Sequence, residues 1–113
     1  MDKLVPYRQA IEKVLHTYHR PHKAGYQEYT SQMVRDHEAG HYLLLRVGWT
    51  DDVKRTHHVV FHLDLTADGK IWIQEDWTEY GIANELVDLG VPKADIILAF
   101  QAPYKRHYSG FGV

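Results

Sequence analysis

Between residues 41 and 74 apolar and polar side chains alternate with a period of two, and this pattern limits the fold more than any other in the 113-residue chain. Over 41–49, Leu43, Leu45, Val47 and Trp49 share one face, with Tyr42, Leu44 and Arg46 on the other. Over 57–66, Val59, Phe61, Leu63 and Leu65 oppose His58, Val60, His62, Asp64 and Thr66. Over 70–74, Ile71 and Ile73 oppose Trp72 and Gln74. Each segment has an apolar face and a more polar one, which predicts an antiparallel sheet covered on one side. Residues 48–52 and 67–69 read as connections, the latter (Ala67, Asp68, Gly69) a strong hairpin signal. A more polar strand over about 28–35, joined through 36–40, is expected at an edge.

The flanks change period. Leu4, Tyr7, Ile11, Val14, Leu15 and Tyr18 recur at threes and fours, one helical stripe, with Pro6 in the first turn and stop signals over 20–25. A second helix is expected from Thr78, an N-cap hydroxyl, with Glu79 in its first turn and Ile82, Ala83, Leu86, Val87 and Leu89 facing inward until Gly90. The short apolar run 96–100 reads as a strand. The expected fold is α+β in two layers: an antiparallel sheet of about four to five strands with two helices packed on one face, as a single domain over 1–113.

A content of 44% hydrophobic and 25% charged residues is that of an ordinary globular domain. With no cysteine, disulfides, thiolate metal sites and cysteine nucleophiles are excluded. The net charge of -2 argues against a general affinity for polyanions. The longest apolar runs, 43–45 and 96–100, fall far short of the ~20 residues of a membrane helix, so a soluble cytoplasmic protein is expected.

Nine histidines raise the question of a metal. His37-Glu38-Ala39-Gly40-His41 matches the zinc-protease pattern H-E-x-x-H, whose chemistry needs both imidazoles on one helical face. Gly40 and the flanking period-two segments place it in a turn instead. His16, His19 and His22 gather at a helix end, where imidazoles suit the dipole. His58 and His62 lie on one strand face at about twice the ~7 Å same-face repeat, too far apart to share an ion. No three are expected to converge, and neither metal nor cofactor is expected. Ser31 and Ser109 lack the setting of a nucleophile, so no catalytic residue is assigned.

Two surfaces remain. The polar sheet face, with Tyr42, Arg46, His62, Trp72 and Gln74, offers a partner site, because a tryptophan aimed away from the core usually covers something. The tail residues Tyr104, Lys105, Arg106, His107 and Tyr108, followed by Phe111, combine cations and rings without an acid, which suits docking or nucleic-acid contact.

Several long strings then resemble one family together. They are HYLLLRVGW over 41–49, KIWIQ over 70–74, TEYGIANELV over 78–87, and LGVPKADI over 89–96 followed by PYKR over 103–106. In this order and spacing the chain resembles the XisI family, the fdxN element excision controlling factors of cyanobacteria. The resemblance implies a role in developmentally controlled excision of a DNA element during heterocyst differentiation. It also implies action with a XisH-like partner and a separate recombinase that performs strand exchange. It carries no catalytic residues. The joint expectation is a non-enzymatic regulator that docks on a XisH-like protein through the sheet face or the tail. DNA binding by the tail, as a small accessory protein in a recombinase complex, is the alternative. An exposed edge strand and fourteen aromatic residues also make self-association an expectation.

Overall fold

The helical stripe forms as its spacing requires. In the computed structural model, which describes residues 3–20, 29–50 and 53–113, α1 spans Leu4–Tyr18 and buries Tyr7, Ala10, Ile11, Val14 and Leu15. The stop expected beyond Arg20, together with His22, Glu28 and the Asp51-Asp52 pair, lies outside the described residues.

Five strands follow in sheet order β1-β2-β3-β4-β5: β1 Tyr29–Asp36, β2 His41–Thr50, β3 Lys54–Leu65, β4 Ile71–Asp76 and β5 Ile96–Leu98. The first four form an antiparallel meander, and β5 joins β4 in parallel. The α+β architecture expected from the sequence is present. One expectation is corrected: β2 runs on through Gly48 and Trp49 into the expected connection 48–52, because both pair with β3.

The alternation also breaks where the sequence does not announce it. Leu44 pairs with Phe61 but Leu45 with Val59, so Val60 is an extra residue on β3. Such a bulge switches the faces of everything beyond it. Val60 and Phe61 are both buried. Val59, opposite Leu45, therefore shares a face with His62, opposite Leu43, while His58 falls on the other face with Arg46. The expectation that His58 and His62 share a face is corrected by this one residue.

The second helix starts later than expected. The helix α2 spans Ile82–Asp88, and Gly81 before it has φ 93°, a conformation few other residues adopt. Asp76 at the end of β4 organises the approach: Oδ1 accepts from the Thr78 amide at 2.9 Å and Oδ2 from the Ile82 amide at 2.7 Å. The first-turn amide of α2 is thus capped by a carboxylate from the sheet, and Thr78 serves the loop instead. Short 3₁₀ helices cover Lys93–Asp95 and Pro103–Tyr108. Both α-helices pack on one face of the sheet, over Tyr42, Leu44, Phe61, Leu63, Ile71 and Ile73.

Candidate functional site

The opposite face of the sheet is where polar chemistry collects. His41 opens β2 and is the cross-strand partner of Asp64 on β3, while His62 lies two residues before Asp64 on the same face. A direct cross-strand step of about 5 Å and a same-face step of about 7 Å bring three long side chains within reach of one another. The Asp64 carboxylate accepts from both imidazoles at a single oxygen: His41 Nδ1 lies 2.7 Å and His62 Nε2 2.9 Å from Oδ1. Gln74 Nε2 donates to the other oxygen, Oδ2, at 3.0 Å. The two imidazole rings stand 6.4 Å apart at 70°.

The electrostatics follow from this convergence. The hydrogen bond to Asp64, and then its charge, raise the His41 pKa above the ordinary 6.5. Burial works against a charged Asp64, but the His41 hydrogen bond, the nearness of His62 and the Gln74 amide outweigh it and lower its pKa. The site is a carboxylate held between two imidazole rings. Three metal-capable side chains, two imidazoles and one carboxylate, converge here because the bulge at Val60 places His41 opposite Asp64. The signal available in the sequence was the His62-x-Asp64 pair. Its third member needed the strand register.

Trp72, the partner of Asp64 on β4, continues the face. The Arg106 guanidinium carbon lies 5.5 Å from its ring centroid, a cation–π contact that ties the tail to the sheet. Arg106 also donates through Nε to the carbonyls of Leu98 (3.3 Å) and Gln101 (3.2 Å), and through Nη2 to Ala99 (3.2 Å). Its charge is therefore committed inward. The neighbouring Tyr104, Lys105, His107 and Tyr108 are exposed, with Lys105 Nζ 5.9 Å from the Tyr104 ring. Phe111 is partly buried against the core.

The five residues expected on the open face divide between two faces. His62, Trp72 and Gln74 are there, but Tyr42 is 0% exposed in the core, with its hydroxyl 3.0 Å from His37 Nδ1. Arg46 follows Tyr42 and Leu44 on the helix-side face, opposite His58. The reason is that β2 is apolar on both sides, so alternation alone does not say which side faces the helices. The open face receives Leu43, Leu45, Val47 and Val59, all half-buried, flanked by Val34 at 42% and Trp49 at 49% exposure. His37, Glu38, Ala39 and Gly40 form a turn, so the H-E-x-x-H letters do not lie on a helix.

No helix among the described residues is long and apolar enough to cross a membrane. The XisI protein family matches residues 1–113. Among solved structures, a XisI-like protein from Anabaena variabilis is 41% identical, with a TM-score of 0.83 over 97% of this chain and 98% of that one. The fdxN element excision controlling factor XisI from the same organism is 35% identical, with a TM-score of 0.78 over 98% of each chain. Among the curated proteins no match is found. With the family matched along its whole length and the same fold in both relatives, the chain belongs to the XisI family.

Proposed function

We propose that this protein is a non-enzymatic controlling factor of DNA element excision that acts in the cytoplasm by docking a XisH-like protein on the open face of its sheet. The observation that carries the reading is the apolar band of Leu43, Leu45, Val47 and Val59 on a face that neither α-helix covers, extended by Val34, Trp49 and Trp72. A contiguous apolar patch of this kind, bordered by polar side chains, marks a protein-binding surface. Family membership and likeness to the fdxN element excision controlling factor from Anabaena variabilis support the biological setting. In this reading strand exchange during heterocyst differentiation belongs to a separate site-specific recombinase.

Co-purification with the XisH-like protein tests the proposal. A complex is expected at micromolar concentration or below. Val34→Lys and Trp49→Ala, both at exposed positions, are each expected to weaken it by about tenfold or more, whereas Lys105→Ala leaves it unchanged. Absence of a complex at micromolar concentration, with both proteins folded, rules the reading out.

A further inference from the structure

We propose that His41, His62 and Asp64 bind one divalent transition-metal ion, with zinc as the representative case. Each residue offers one ligand atom, all within 4.8 Å of one another, and His41 Nδ1 and His62 Nε2 both face Asp64 Oδ1. In a tetrahedral site with metal–ligand bonds of about 2.1 Å the ligand atoms stand about 3.4 Å apart. The two nitrogen–oxygen separations, 2.7 and 2.9 Å, reach that value by opening less than about 1 Å, within the reach of side-chain rotation.

The chemistry of the set selects the ion. Two imidazoles and one carboxylate suit zinc, nickel, cobalt or iron, whereas magnesium and calcium prefer oxygen ligands alone. The arrangement is more than a histidine–carboxylate hydrogen bond, because both rings aim a nitrogen at the same oxygen. One imidazole would satisfy that bond; two leave a centre with three donors around it. On binding, each imidazole coordinates as the neutral ring: the proton on its ligating nitrogen goes to solvent if the ring is cationic and to its other nitrogen if the ring is neutral, the freed lone pair goes to the metal, and Oδ1 exchanges two hydrogen bonds for one coordinate bond.

The surroundings resemble those of a built site. Gln74 fixes the non-coordinating oxygen of Asp64, the role outer hydrogen bonds play around metal ligands. The backbone is held on both sides, since His41 pairs with Asp64 and His62 with Leu43 in the β2–β3 ladder. The His41 side chain is 51% exposed, so an ion can enter from solvent and keep a water in the fourth position. Glu38 and His37 of the H-E-x-x-H string have no part in it. The inference concerns the chain alone and stands or falls separately from partner docking.

The test uses untagged protein purified without a nickel column. Calorimetric titration with Zn²⁺ is expected to show one equivalent bound, and Co²⁺ to give visible absorption bands of a nitrogen- and oxygen-ligated ion. His41→Ala, His62→Ala and Asp64→Asn are each expected to lower zinc affinity by about tenfold or more, and Gln74→Ala by a smaller factor. His16→Ala and His57→Ala, at exposed positions away from the cluster, are expected to change nothing. Thermal unfolding without metal checks that each variant folds, and exposed His41 gives the variant least dependent on that check. Absence of stoichiometric binding, or binding that survives all three ligand substitutions, overturns the proposal. So does loss of binding on His16→Ala or His57→Ala, which would place the ion at a surface histidine elsewhere.

Discussion

Asp95 is 8% exposed and carries three partners at its carboxylate. Lys70 Nζ lies 2.9 Å from Oδ1, Lys3 Nζ 3.3 Å from Oδ2, and the Tyr7 hydroxyl donates to Oδ2. The Tyr7 hydrogen bond, followed by that from Lys70, outweighs burial and lowers the Asp95 pKa from 3.8 to about 2. A carboxyl depressed on folding adds stability that is fully present above its unfolded value and is lost as pH falls through the folded one. Stability measured in urea is therefore expected to fall between about pH 4 and pH 2 by on the order of 2 kcal/mol from this group. Asp95→Asn is expected to remove that share of the pH dependence. Gly40 is equally constrained: its φ is 79°, and a Cβ there would stand 2.2 Å from the Leu65 carbonyl oxygen. Gly40→Ala is expected to cost about 2 kcal/mol or more, read as a lowered denaturation midpoint. The glycine that spoils the zinc-protease pattern is the one that lets the chain turn and set His41 at the head of β2.

At the scale of elements, the C-terminal turn Pro103–Tyr108 is fastened by Arg106 to three carbonyls and to the Trp72 ring. Hydrogen bonds from a charged donor are worth more than neutral ones. Arg106→Ala is expected to destabilise the fold by about 2 kcal/mol in chemical denaturation, while Lys105→Ala stays within about 0.5 kcal/mol of the parent. Arg106→Lys is not expected to rescue, because one ammonium cannot reproduce a planar fork that both stacks and donates in several directions. The element scale also shows where sequence reading succeeds and where it stops. The α1 stripe was legible because it offers a single apolar face, and the turn at Ala67, Asp68 and Gly69 because its residue types demand one. The bulge was not, since Val60 is as good a strand residue as its neighbours. Yet Thr50 pairs with Lys54 at one end of the hairpin, and that register carried on unbroken would set His41 against Leu63. One extra valine moves it to Asp64. The candidate metal site was thus half legible, as His62 and Asp64, and half hidden in a register that no local pattern encodes. The onset of α2 was missed for a related reason: its cap, Asp76, belongs to the preceding strand.

For the whole molecule, the layer arrangement followed from the order of periodic segments, since one amphipathic helix, a meander and a second helix have few ways to share a core. Which face of β2 turned inward did not follow, because Leu43, Leu44 and Leu45 are interchangeable to any pattern and only the packing of Tyr42 and Leu44 under the helices decides. Both rims of the finished sheet carry hydrogen bonds to other segments of the chain. On the outer side of β5 the Ile96 carbonyl accepts from the Gly112 amide at 2.8 Å and the Leu98 carbonyl accepts from Arg106 at 3.3 Å. On β1, the Ser31 amide donates to the Arg20 carbonyl at 2.9 Å. A strand from another molecule therefore meets a stoppered rim on the β5 side. On β1 it meets the Arg20 carbonyl at Ser31, so edge pairing is impeded there as well. Extending this sheet from one copy to the next therefore means displacing a segment of the chain itself at either rim.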